Sequence, residues 1–156
     1  MVKIKRPNFM CIGAAKSATT TLFEILKQHS MIGFSSFKEP HFFDNTINYE
    51  KGIDWYLMNY FSHLQDEEII ADFTPSYLSC TSSAKRIFDL LGTDIKFLVI
   101  LRNPIDRAYS HFLHTKRDQH EDLSFIDAIN NEEKRLNRFS CSNDDISFAR
   151  FSYAYQ

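Results

Sequence analysis

The apolar residues of this chain fall into short continuous runs and runs of helical period, and their order predicts the elements. Asn8 to Ile12 is an apolar run that predicts a buried strand. Thr19 to Gln28 predicts a helix with Leu22, Ile25 and Leu26 on one face. Met31 to Phe34 predicts a second short strand, and Asp54 to Phe61 a helix turning Trp55, Met58 and Leu57 or Phe61 inward. Glu68 to Phe73 predicts a third strand, ended by Thr74-Pro75-Ser76. Ser82 is placed to cap a helix through Ile87, Leu90 and Leu91, which Gly92 stops. Lys96 to Leu101 is the clearest strand, and its unbroken apolar run predicts burial on both faces in mid-sheet. Pro104 opens a helix with Ile105, Ala108, Tyr109, Phe112 and Leu113 on one face. Ser124 and Asp127 form a capping box for a helix to Arg138. Asn137 to Asp145 reads as a polar surface loop, and Phe148 onward as the start of another helix.

Strands alternating with helices predict a three-layer α/β domain, a mostly parallel sheet flanked by helices. Ligands of such folds bind beyond the carboxyl ends of the strands. Three turns lie at such ends: the loop after Gly13, Asp72–Thr74 and Arg102–Pro104.

The first of these turns carries the strongest chemistry. Gly13-Ala14-Ala15-Lys16-Ser17-Ala18-Thr19-Thr20 joins a strand to a helix through small residues, one lysine and then hydroxyls. Unpaired N–H groups at the helix start and the helix dipole favour an anion there. Small residues let the backbone approach a phosphate or sulfate, Lys16 adds a full charge, and Thr19 and Thr20 add hydroxyl donors. A Walker A loop needs a second glycine directly before its lysine; here there is none, and Lys16 lies three residues before Thr19. The third turn places Arg102 at a strand end and Ser110 about 9 Å along the following helix, a guanidinium and a hydroxyl able to hold one phosphate.

These segments resemble the sulfotransferases that use 3′-phosphoadenosine 5′-phosphosulfate. Gly13-x-x-Lys16-Ser17-x-Thr19-Thr20 is similar to their 5′-phosphosulfate loop. Leu101-Arg102-Asn103-Pro104 with Arg107 and Ser110 is similar to their 3′-phosphate element. Lys38-Glu39-Pro40-His41-Phe42-Phe43-Asp44 resembles the loop of heparan sulfate sulfotransferases and their bacterial relatives, in which the glutamate is the proposed base. The resemblance implies a P-loop-like sulfotransferase fold over residues 1–156 as one domain, incomplete at its C-terminal side, with Met1–Pro7 as a short extension. It implies donor contacts from Gly13, Ala14, Ala15, Lys16, Ser17, Ala18, Thr19, Thr20, Arg102 and Ser110. It implies catalytic roles for Lys16, Glu39 and His41, and substrate positions at Lys38, Asp44 and Tyr77; Trp55 joins the candidates for lining a sugar site. The implied reaction moves a sulfuryl group to a hydroxyl or amine, with carbohydrate as the expected acceptor, adenosine 3′,5′-bisphosphate as product and no metal. Asp72-Phe73-Thr74-Pro75-Ser76-Tyr77 departs from the family's Glu-Lys-Thr-Pro-x-Tyr turn, because Phe73 stands where a lysine is expected. Two alternatives remain: a P-loop kinase or NTPase with Asp72 on Mg²⁺, and a nucleotide- or sulfated-ligand-binding fragment without turnover.

Composition narrows the partners. A net charge of −2 over 156 residues argues against a dedicated nucleic-acid binder. The 15 Phe and 7 Tyr suit a packed core. No apolar run approaches the roughly 20 residues of a membrane span, and no apolar segment follows the basic N-terminus as in a signal peptide, so a cytoplasmic or otherwise soluble setting is expected. Cys11, Cys80 and Cys141 form no metal or disulfide pattern, and Cys11 reads as a buried strand residue.

Overall fold

In the computed structural model, which describes residues 4–136 and 153, four parallel strands form one sheet in the order β2-β3-β1-β4. They are β1 (Phe9–Gly13), β2 (Ile32–Phe34), β3 (Ile69–Phe73) and β4 (Lys96–Val99). β1 pairs with β3 through Met10↔Asp72 and with β4 through Met10↔Phe97. Parallel neighbours require crossovers, and helices supply them. α1 (Thr19–Leu26) links β1 to β2. α2 (Thr46–Tyr49) and α3 (Gly52–Tyr60) link β2 to β3. A 3₁₀ turn (Pro75–Leu78) and α4 (Thr81–Leu91) link β3 to β4. α5 (Pro104–Arg117), α6 (Phe125–Asn130) and α7 (Glu132–Leu136) follow.

The two-residue period of the strands divides the core. Met10 and Ile70 face a layer built from Phe42, Phe43, Tyr56, Phe61 and Ile87. Cys11, Ala71 and Phe73 face the opposite side, where Phe23 of α1 packs with Phe34. A third cluster joins Ala108 and Phe112 of α5 to Ala128 of α6 and to Tyr153.

Several faces differ from the sequence expectation. The contact stripe of α1 centres on Phe23, flanked by Leu22 and Leu26; Ile25 lies about 200° further round the helix and is exposed. In α3, Tyr56 and Leu57 are buried and Met58 is exposed. α4 starts at Thr81 after Cys80, without a side-chain cap, so Ser82 is not its cap; Gly92 does end it, at φ +80°. Among the described residues β4 is the last strand of the sheet on its side rather than a central one, and Phe97 (53% exposed) and Leu101 (76%) face outward. α5 buries Arg107, Ala108, His111, Phe112 and Thr115, while Ile105, Tyr109 and Leu113 are exposed. An unbroken apolar run reports low polarity, not how many neighbours the strand acquires.

The helix expected to run to Arg138 is interrupted at Asn131, whose Nδ2 donates to the Asp127 carbonyl at 2.8 Å. Ser124 caps its first part, accepting from the Asp127 N–H at 3.2 Å. Residues 1–3, the end of that helix, the Asn137–Asp145 loop, Cys141 and the helix expected from Phe148 lie outside the described residues. Among the described residues no helix is long and apolar enough to cross a membrane.

Gly13 closes β1 against the 3₁₀ turn: a Cβ there falls 2.6 Å from Leu78 Cδ2 and 2.7 Å from Leu78 Cβ. The Leu78 Cβ moves only with its backbone. Gly13→Ala is therefore expected to lower stability by about 1–3 kcal/mol, as overpacking does. Denaturant titration checks it, and Leu78→Ala in the same chain should recover part of the loss; a Gly13→Ala variant as stable as wild type shows that the turn yields.

Candidate functional site

The carboxyl ends of β1, β3 and β4 open onto one cleft of about 620 Å³, a size suited to a nucleotide. The loop after β1 forms its floor. Lys16 and Ala18 both adopt left-handed backbone (φ 65° and 64°), which folds the loop into a concave turn. Ala18 occupies the N-cap of α1 and has no side chain to cap with, so the first N–H groups of the helix stay open. Ala15, Lys16, Ala18, Thr19 and Thr20 line the cleft. Ser17 is buried behind them, and among the described residues its hydroxyl has no hydrogen-bond partner. Gly13 and Ala14 also lie behind the lining, where Gly13 makes room for Leu78. Burial pulls the Lys16 ammonium below its usual value, as does the nearby Arg117 charge, while Glu39 opposes the shift. An orphaned hydroxyl, open amides and a partly desolvated lysine together fit a phosphate- or sulfate-like group.

β4 brings the second element. Arg102 leaves the strand end and donates from Nη1 to the Lys16 carbonyl at 3.2 Å, joining segments 86 residues apart. Ser110, one helical face further on, lines the same cleft. Ser110, His114 and Asp118 recur every four residues along that wall, and His114 Nδ1 lies 3.0 Å from Asp118 Oδ2. His111, His114, Asp118 and His120 were not singled out by sequence; for His114 and Asp118 the four-residue spacing from Ser110 was the available signal. Four of the six histidines border this cleft, with Lys16 and Arg102, against the carboxylates of Glu39 and Asp118. That balance suits an anionic ligand.

The loop before α2 supplies the third element. Glu39 precedes a proline, a position usually extended, yet it is left-handed at φ 62°; His41 is left-handed at φ 48°. The Glu39 carboxylate sits between Lys38 Nζ and His41 Nε2, the latter 3.7 Å away. His41 Nδ1 lies 2.8 Å from Asp44 Oδ2, and the Ser76 hydroxyl donates to the same oxygen. Burial pulls the His41 imidazole down, but the hydrogen bond to Asp44 and the charges of Asp44, Glu39 and Asp72 leave it above its ordinary value. Arg86 secures the loop's exit by donating to the Phe43 carbonyl at 2.9 Å and to Thr46 Oγ1 at 2.8 Å.

Not every candidate reaches the cleft. Asp44 is buried beneath His41. Lys38 contacts Glu39 but does not line the cavity. Tyr77 is buried, its phenol between Asp72 and the Phe42 amide. Trp55 packs near Phe42 and Tyr60 under Lys51, away from the lining. Phe73, in the place of the expected lysine, packs with Phe9, Phe23 and Phe34. Asp72 is fully buried and accepts from Tyr56 (2.6 Å), Thr74 (2.6 Å) and Tyr77 (3.0 Å), so it does not present a free carboxylate to a metal ion.

Residues 6–143 match the family model of the sulfotransferase domain. The chain is 34% identical over 108 residues to the membrane-associated sulfotransferase kil1 of Dictyostelium discoideum, covering 68% of this chain and 22% of that protein. It is 37% identical over 107 residues to human heparan sulfate glucosamine 3-O-sulfotransferase 5, covering 68% of this chain and 30% of the relative. A sulfotransferase from Alicyclobacillus acidocaldarius shares its fold with a TM-score of 0.80 and 29% identity, over 97% of this chain and 65% of that one. The chain thus spans less than a third of the length of these two curated relatives.

Asp72 makes stability respond to acid. Burial pushes its carboxyl from 3.8 up to about 6, against the pull of the Thr74, Tyr56 and Tyr77 hydroxyls. The native state therefore takes up this proton before the unfolded chain does. The linked contribution to stability rises as pH falls from about 6 towards 3.8 and is lost as pH climbs through 6, by at most about 3 kcal/mol. Asp72→Asn removes the titration. Denaturant unfolding at pH 7 and pH 4.5 should show wild type gaining on the variant at the lower pH; a difference constant across that window contradicts the assignment.

Proposed function

The chain belongs to the sulfotransferase domain family, and from that premise we propose that its cleft transfers a sulfuryl group from 3′-phosphoadenosine 5′-phosphosulfate to a carbohydrate hydroxyl or amine. The observation that carries the proposal is the Arg102–Lys16 hydrogen bond, because it brings the two anion-binding segments into one cleft with Glu39. The loop from Ala15 to Thr20 holds the phosphosulfate end of the donor. Arg102 and Ser110 hold its 3′-phosphate and so select it over ATP.

The reaction forms a bond from the acceptor oxygen or nitrogen to sulfur and breaks the sulfur bond to the donor's bridging oxygen. Lys16 neutralises charge growing on that oxygen, an electrostatic contribution of a few kcal/mol. Glu39 accepts the acceptor's proton. His41, raised above its ordinary value by Asp44 and the nearby carboxylates, lies 3.7 Å from Glu39 and holds it and the acceptor in place. The acceptor lies between Glu39 and the wall of His114, Asp118 and His120, a set of hydrogen-bonding groups suited to a sugar. The names of the relatives support a glycan.

Glu39→Gln should lower kcat for transfer to a glucosamine oligosaccharide by about 10²–10⁴-fold and leave binding of adenosine 3′,5′-bisphosphate unchanged. If Glu39→Gln retains turnover while His41→Ala loses it, the histidine is the base. Arg102→Ala tests the donor assignment. By isothermal titration without Mg²⁺, it should weaken adenosine 3′,5′-bisphosphate by roughly 1.5–3 kcal/mol and adenosine 5′-phosphate much less. Equal losses for both ligands remove Arg102 from the 3′-phosphate.

A further inference from the structure

Phe42 and Phe43 follow His41 directly and are fully buried. Two tyrosines form their socket. Tyr56 stacks on Phe42 with ring centres 4.4 Å apart and meets Phe43 edge-on at 5.5 Å. Tyr77 meets Phe43 edge-on at 5.6 Å. Both phenols donate to one oxygen, Asp72 Oδ2, at 2.6 and 3.0 Å. Only Tyr77 then continues to the loop: its phenol oxygen accepts the Phe42 N–H at 3.2 Å.

We infer that Tyr77, oriented by Asp72, is a positioning residue that sets the backbone carrying Glu39 and His41. The inference rests on the sulfotransferase reading of this cleft. Hydrogen-bond polarity supplies the logic. At pH 7, above the value of about 6 to which burial raises it, the Asp72 carboxylate is ionised and accepts only, so the Tyr77 hydroxyl donates to it. The phenol's lone pair is thereby turned towards the Phe42 amide, which lies one peptide beyond His41. Glu39 and His41 both hold left-handed backbone, which non-glycine residues keep only where surrounding contacts over-determine it. The Tyr77 bond is such a contact, and Ser76 of the same 3₁₀ turn adds another by donating to Asp44 beneath His41. One buried turn thus holds the catalytic loop at its backbone and at the partner of its histidine.

Tyr77→Phe and Tyr56→Phe separate positioning from packing. Each removes one phenol from Asp72 and keeps its ring, so each lowers stability, but only Tyr77→Phe strips the Phe42 amide of its acceptor. Two measurements on the same chain read the difference: amide exchange at Phe42, and kcat for sulfuryl transfer to a glucosamine oligosaccharide alongside the dissociation constant of adenosine 3′,5′-bisphosphate. Tyr77→Phe should speed Phe42 exchange about tenfold and cut kcat roughly 10- to 10²-fold with nucleotide affinity within twofold. Tyr56→Phe should leave Phe42 exchange and kcat near wild type. Equal effects of the two variants, or none from Tyr77→Phe, overturn the inference. Should wild type transfer no sulfuryl group, the function reading fails, while the exchange contrast still decides whether Tyr77 holds the loop.

Discussion

Parallel pairing of β1 between β3 and β4 is the constraint on which the site depends. It sends three strands out of the sheet at the same edge, so the loop after Gly13, the turn after Phe73 and the segment after Val99 emerge side by side. No one segment makes the cleft. Lys16, Glu39 and Arg102 meet because backbone ladders hold their strands in register, and the Arg102–Lys16 bond joins two of the emerging loops. Any change that shifts β4 against β1 moves the guanidinium away from the lysine loop.

The loops at this edge are held under local strain. Lys16, Ala18, Glu39 and His41 all take left-handed backbone without being glycine, at a cost on the order of 1 kcal/mol each. The same conformations turn amides and side chains towards the cleft. The core beneath them offsets the cost. Phe42 and Phe43 pin one loop from below, and Leu78 closes against Gly13 under the other. The layer supporting Glu39 and His41 holds more of the chain's aromatic residues than either of the other two core clusters.

Charge is arranged in two zones. In the cleft, Lys16 and Arg102 carry positive charge, and the acids present have basic partners: Glu39 lies beside Lys38 and His41, and Asp118 beside Arg117. Beneath it, Asp72 accepts from three hydroxyls, with no cation in its hydrogen-bonding shell among the described residues, and burial dominates its behaviour. The first zone is suited to an anionic ligand; the second acts as a hydrogen-bonding hub for the loops.

By itself the sequence determined the local chemistry: where strands and helices lie, and that Gly13–Thr20, Lys38–Asp44 and Arg102–Ser110 carry groups suited to anions and proton transfer. Those properties reside in short stretches, where period, capping and residue type act. Tertiary structure alone decided which faces are buried and which side chains meet. Among the described residues β4 is the last strand on its side of the sheet and Phe97 and Leu101 point outward; strand order and the covering of a strand are set by distant segments that a single apolar run does not encode. Tyr77 and Trp55 are candidates for a sugar site by type, yet the core takes both, because their positions on the 3₁₀ turn and α3 face Phe43 and Phe42. His114 and Asp118 join the cleft because α5 packs with that face over the β1 loop, an orientation set by contacts distant in the chain and not by its apolar period.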